Sequence, residues 1–244
     1  MRRIVCLLTA AVLLLCAGAV HGEELTEKQL LSYYENCLFV GDSITRDLRF
    51  YVLNQRKTDP DYMKGVDFKA ADSYHLYIAS RKYLQKSAVN LVYRGNEMPL
   101  CDIVGYTKPR RVLILLGVND YIGKEIGKGI GYCERIVDLI ADSSPDTQVI
   151  FQSLTPVTPR FCRKADYRTM WDDYNAALEE MCREKGAGYI DIASRLKDGE
   201  GYLATEYSQG DGYHLNTAGI AIWVDALKDY AQAQYDAGLW TPEN

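Results

Sequence analysis

Three short clusters along this chain carry side chains that together could do nucleophilic chemistry. The first is Gly41-Asp42-Ser43-Ile44-Thr45, which follows the apolar run Leu38-Phe39-Val40. Ser43 therefore sits where a buried strand would surface into a turn. A serine hydroxyl is a poor nucleophile until a base removes its proton. The base on offer is His214, in Asp211-Gly212-Tyr213-His214, because imidazole titrates near neutral pH. Asp211, three residues earlier, can accept the other ring N–H and fix the tautomer. Attack on a carbonyl also needs donors for the resulting oxyanion. The Ser43 N–H is one, and the Asn119 side-chain amide, in Gly117-Val118-Asn119-Asp120, is a second. Each cluster alone has a plainer reading: a turn or helix N-cap, a loop after a strand, a turn. Their joint order is what favours catalysis. Of the remaining histidines, His21 lies in the leading segment and His75 in a Tyr-rich stretch that reads as structural.

Apolar runs alternating with helical patterns must position these groups. Strands are predicted at residues 37–40, 65–71, 111–116, 149–154 and 189–192. Helices are predicted at 25–36, 45–54, 74–85, 122–141 and 167–185, with a last one opening at Leu215-Asn216-Thr217 and running to about residue 235. Residues 56–64 and 197–209 read as loops. Arg111 to Leu116 is apolar enough for a strand buried on both faces, as in a parallel sheet. Strands separated by helices imply βαβ crossovers. The expectation is one α/β domain: a three-layer α/β/α sandwich on a mostly parallel five-stranded sheet. In such sheets ligands bind at the carboxyl ends of the strands. Ser43, Asn119 and the segment Ser153-Leu154-Thr155-Pro156 all fall at such ends.

Arg2-Arg3 followed by an apolar stretch from Ile4 to Val20 has the layout of a secretory signal peptide, residues 1–22. An uncleaved anchor is the alternative; Leu15 before Cys16 argues against a lipid-modified cysteine. Residues 23–244 are then a single domain, exported to a secreted or surface location, with no stable membrane insertion after cleavage. The net charge of −5 gives no electrostatic footprint for nucleic acid. Five cysteines follow the leading segment, Cys37, Cys101, Cys133, Cys162 and Cys182, without metal-site spacing. They read as buried or half-buried thiols, with room for one or two disulfides. No cofactor or metal is expected, since no phosphate-cradling glycine loop follows a strand and no ligand cluster occurs.

The three clusters, in this order, resemble the blocks of the SGNH (GDSL-type) hydrolases, over nearly the whole chain after the leader. The last block extends through Leu215-Asn216 to Gly219. The resemblance implies a flavodoxin-like fold and metal-independent ester hydrolysis through an acyl-enzyme, with Ser43 as nucleophile, His214 as base and Asp211 as its orienting partner. The family's second block supplies a glycine N–H to the oxyanion hole, and this chain departs from it. The corresponding loop reads Ala70-Ala71-Asp72-Ser73-Tyr74, so the Ser73 N–H is the expected substitute. The expected function is a serine esterase for short acyl esters, O-acetyl groups on carbohydrate among them. The alternatives are acyl transfer to a sugar or other alcohol, and a carbohydrate-binding module that keeps the fold without the rate.

Overall fold

In the computed structural model, residues 24–86, 88–120, 125–163 and 165–242 are described. The segment read as a signal peptide lies outside them. The chain order is α1 (Glu27–Ser32), β1 (Cys37–Gly41), α2 (Ser43–Gln55), β2 (Asp67–Ala70), α3 (Leu76–Ala79), β3 (Leu91–Tyr93), β4 (Asn96–Met98), α4 (Leu100–Thr107), β5 (Arg111–Leu115), α5 (Ile126–Ser143), β6 (Gln148–Gln152), α6 (Tyr167–Lys185), β7 (Gly188–Ile190), α7 (Ala193–Leu196) and α8 (Thr217–Asp236).

β1, β2, β5, β6 and β7 form one sheet in the order β2-β1-β5-β6-β7, with every pairing parallel. Unbroken apolar runs make this possible. All five residues of β1 are buried, as are the last four of β5 and of β6. Helices cover both faces. α3, α4 and α6 pack against α5 on one side, and α1, α2 and α7 against α8 on the other. Each long helix offers an apolar stripe at helical spacing, such as Ile220, Trp223, Val224 and Leu227 on α8. Strand order reverses between β1 and β5. That is the switch point of a flavodoxin-like sheet, where the crevice for a ligand opens.

Several expected elements differ. The helix foreseen at 25–36 ends at Ser32, and Asn36, at φ 55, turns the chain into β1. The helix foreseen at 74–85 shrinks to Leu76–Ala79. Its start is held by the Asp120 carboxylate, which accepts from the N–H of Leu76 (2.9 Å) and Tyr77 (3.4 Å). The antiparallel hairpin β3–β4 went unforeseen. Its turn, Arg94-Gly95, has both φ values positive (50 and 82), as a type I′ two-residue hairpin requires. Cys37, Cys101, Cys133, Cys162 and Cys182 are all free, so the one or two disulfides allowed for are not formed among the described residues. Burial pushes the thiols of Cys37, Cys133 and Cys182 up to about 11, 12 and 12, leaving them unreactive. Among the described residues no helix is long and apolar enough to cross a membrane.

Candidate active site

Gly41 ends β1 because nothing larger fits. A Cβ there would lie 2.0 Å from Thr45 Oγ1 and 2.6 Å from the Leu115 carbonyl oxygen of the neighbouring strand. Asp42 then caps α2, its Oδ1 accepting from Ile44 N–H at 2.9 Å. Ser43 is the first helical residue. Its N–H has no acceptor within the helix, and the positive end of the helix dipole favours negative charge at this point. Sequence and local physics thus put a hydroxyl and a free donor at the switch point.

His214 reaches this hydroxyl from the other end of the chain. Its Nε2 lies 2.8 Å from Ser43 Oγ. Its Nδ1 lies 2.5 Å from Asp211 Oδ2. The other oxygen of Asp211 accepts from the N–H of Tyr213 (3.1 Å) and of His214 (3.0 Å), so one carboxylate shapes the turn and orients the ring. Burial raises the Asp211 carboxyl, but the ring and the two N–H groups outweigh it and hold it below the ordinary value. Gly212 allows the turn at φ 113, packed against Phe161 and Thr158. The Tyr213 ring lies 4.2 Å from the imidazole, centroid to centroid.

The oxyanion side is less simple. Asn119 Nδ2 donates to Asp42 Oδ2 (2.9 Å) and to the Tyr74 carbonyl (3.3 Å). Two acceptors on one side fix which end of the amide is nitrogen. Both its hydrogens are engaged, so an oxyanion must draw one from the longer bond. Ser73 sits at the third position of a turn closed by Tyr74 N–H to Ala71 O (3.0 Å), with φ 62. That is the left-handed conformation a glycine favours. A residue with a Cβ thus keeps a glycine-like backbone here. Its loop is pinned by an ion pair from Arg46 of α2 to Asp72, by Asn119 at Tyr74, and by Asp120 at Leu76.

Sequence reasoning did not assign Asp42 a part. It is fully buried, and burial above all pushes its carboxyl up to about 7, against the bond from Ile44 and the charge of His214. The only advance signal was its place between Gly41 and Ser43. Arg46, Asp72 and Asp120 were likewise unassigned. The Ser153 to Pro156 rim does not join the site. Ser153 is buried, and its Oγ accepts from the N–H of Ile192 and Ala193, both at 2.9 Å, locking the exit of β7. His75 holds the N-cap position of α3 without a side-chain cap bond, and among the described residues its buried Nδ1 has no partner.

An all-parallel α/β/α sheet with a hydrogen-bonded serine and histidine at its switch point marks an ester-hydrolysing serine hydrolase. The chain belongs to the GDSL-like lipase/acylhydrolase family, whose model matches residues 39–222. No curated protein matches it. Among solved structures it is similar to a GDSL-like lipase from Bacteroides thetaiotaomicron, at 18% identity and TM-score 0.60, over 81% of this chain and 87% of that one. A carbohydrate esterase family 3 protein from Talaromyces cellulolyticus matches at 17% identity and TM-score 0.57, over 84% and 99%. A catalytic mutant of an acetylxylan esterase from Geobacillus stearothermophilus matches at 15% and 0.55, over 80% and 93%.

Proposed function

We propose that this protein is an exported serine esterase that removes short acyl groups, O-acetyl groups on carbohydrate foremost, by a Ser-His-Asp mechanism. The observation that carries the reading is the 2.8 Å hydrogen bond between Ser43 Oγ and His214 Nε2, with Asp211 on the far ring nitrogen. Ser43 Oγ attacks the ester carbonyl carbon while His214 takes the hydroxyl proton. The carbonyl π electrons move onto oxygen, where the N–H of Ser43, the amide of Asn119 and the N–H of Ser73 stabilise them. Collapse breaks the bond to the alcohol, which leaves with the proton from His214. Water then attacks the acyl-serine, gives a proton to His214, and the carboxylic acid departs as Ser43 regains its hydrogen. Asp211 keeps the imidazole in the accepting tautomer and offsets the positive charge it gains.

The acetyl preference is supported by the likeness to a carbohydrate esterase and an acetylxylan esterase. Export is supported by Arg2-Arg3 and the apolar stretch to Val20. Ser43→Ala should reduce p-nitrophenyl acetate turnover to background, and a fluorophosphonate probe should label wild type at Ser43. Turnover by Ser43→Ala near the wild-type rate would refute the mechanism. Faster cleavage of long-chain than of acetyl esters, with no acetate released from acetylated xylo-oligosaccharide, would refute the substrate class. Recovery of the unprocessed chain inside expressing cells would refute export.

A further inference from the structure

The loop that carries Asp211 and His214 is fastened to the helix that carries Ser43. Gln209 and His214 form the neck of this loop: Gln209 N–H donates to the His214 carbonyl at 2.9 Å, and Ser208 bridges Leu215 in antiparallel fashion. Below the neck, Asn216 Nδ2 donates to the carbonyls of Glu206 (2.7 Å) and Ser208 (3.2 Å). The neck is therefore well made within residues 206–216, and the loop tip is held from outside on one flank, where Thr158 N–H donates to the Gly212 carbonyl at 2.9 Å and the Phe161 ring meets that of Tyr213 at 5.2 Å; neither contact reaches the helix that carries Ser43. The Gln209 side chain does something different. Its Nε2 donates to the Leu215 carbonyl at 2.7 Å and to Asp47 Oδ2 at 3.2 Å. Asp47 lies four residues after Ser43 on α2, so the two share one face of the helix. One amide thus ties the residue after His214 to a point one helical turn beyond the nucleophile.

We propose that Gln209 and Asp47 are a positioning pair that sets the reach of His214 Nε2 to Ser43 Oγ. The inference rests on the esterase reading. Asp47 is suited to the part because it is held from elsewhere. Its side chain is 16% exposed, and its other oxygen faces Arg46 Nη2 at 3.8 Å. Burial raises its carboxyl, opposed by the charges of His214 and Arg46 and the bond from Gln209. The reaction depends steeply on nucleophile-to-base geometry, and a displacement of about 1 Å can cost about a hundredfold in rate. The pair acts on the distance between nucleophile and base, so the loss belongs in kcat rather than KM.

The test uses p-nitrophenyl acetate kinetics and the rate of Ser43 labelling by a fluorophosphonate. Gln209→Leu should lower kcat and labelling roughly tenfold or more, with KM within about twofold of wild type. Asp47→Leu should match it, and the double variant should be no worse than either, because both break one link. Asp47→Asn keeps an oxygen for the Gln209 amide and should restore most of the lost rate. Thermal melting of each variant shows that it is folded, and Asp47→Leu stands in if Gln209→Leu is not. If wild type is active and Gln209→Leu is equally fast, the pair is only a brace for the loop and the proposal falls. If Asp47→Asn falls as far as Asp47→Leu, Asp47 acts by charge and the proposal also falls. If wild type neither hydrolyses the ester nor takes the label, the esterase reading itself fails and the pair with it.

Discussion

Asp211→Asn should harm activity more than Asp211→Ala, although asparagine is the closer mimic. Asp211 Oδ1 accepts from two backbone N–H groups, at 3.1 and 3.0 Å, while Oδ2 meets His214 Nδ1 at 2.5 Å. Asparagine has one oxygen for three donors. Two of them are fixed in the backbone on one side, so the oxygen stays there and the NH2 turns toward the ring. Nδ1 must then accept, the ring proton moves to Nε2, and Nε2 donates to Ser43 instead of taking its proton. The base is disabled by tautomer with its position intact. Alanine leaves Nδ1 to water, which can reach it because the Asp211 side chain is 42% exposed, and both tautomers are then populated. A hydrogen bond to a charged group contributes about 1.5–3 kcal/mol. At about 1.4 kcal/mol per tenfold in rate, Asp211→Ala should lose roughly 10- to 150-fold in kcat/KM, nearer the lower figure given solvent screening. Asp211→Asn adds the tautomer penalty and should fall at least a further tenfold, toward the ~10⁴-fold loss such a swap causes in a buried triad. The assay is kcat/KM for p-nitrophenyl acetate at pH 7–8, with melting temperatures to show both variants folded. Asp211→Asn equal to or faster than Asp211→Ala would refute the tautomer argument.

At Ser73, relief of the left-handed backbone and the added freedom of glycine nearly cancel, so Ser73→Gly should stay within about 1 kcal/mol of wild-type stability and keep its kcat. Ser73→Pro, which has no N–H and cannot adopt φ 62, should lose most of it; equal kcat for the two would exclude this N–H from the oxyanion site. Gly41→Ala sets a Cβ against Thr45 Oγ1, which can rotate, and against the Leu115 carbonyl, which cannot; a loss of roughly 1–3 kcal/mol or more is expected in urea denaturation, and an unchanged midpoint would contradict the close approach. Asp42, raised from 3.8 to about 7 by burial, holds a proton in the folded chain that the unfolded chain has released between those pH values. Stability should therefore fall as pH rises from about 4 to 7, by up to about 4 kcal/mol, and level off above. Asp42→Asn should remove that slope, seen as urea midpoints for wild type and variant that converge or cross between pH 4.5 and 7.5; parallel midpoints would show an ordinary carboxyl.

The sheet was legible because burial on both faces writes a simple signal. β1, β5 and β6 begin and end within two residues of the apolar runs that announce them, and α6 spans the helix foreseen at 167–185. What failed were short elements set by contacts distant in sequence. The stretch after Tyr74 has helical composition, yet only Leu76–Ala79 is helical, its first N–H groups held by Asp120, some 44 residues on. The β3–β4 hairpin offered a local cue in Arg94-Gly95, but its strands are three residues each, and Asn96-Glu97-Met98 is neither apolar nor alternating.

The same division runs through the site. That Ser43, Asp211 and His214 would meet was readable because each depends on a local motif: a glycine that permits close approach, a cap, an i to i+3 turn. Ser73 was named only as a substitute, because no side-chain type at that position announces its φ of 62. That φ belongs to a loop held from α2 by Arg46 and from the end of β5 by Asn119 and Asp120. The Asp211–His214 loop is held from α2 as well, by Asp47 through Gln209. Arg46 and Asp47 are adjacent in sequence, one turn past the serine, and each reaches a loop on a different flank of it. α2 thus presents Ser43 and also anchors the groups on either side of it. Such double duty leaves no periodic trace in the sequence, since a charged pair on a helix surface reads as nothing more than a solvated face.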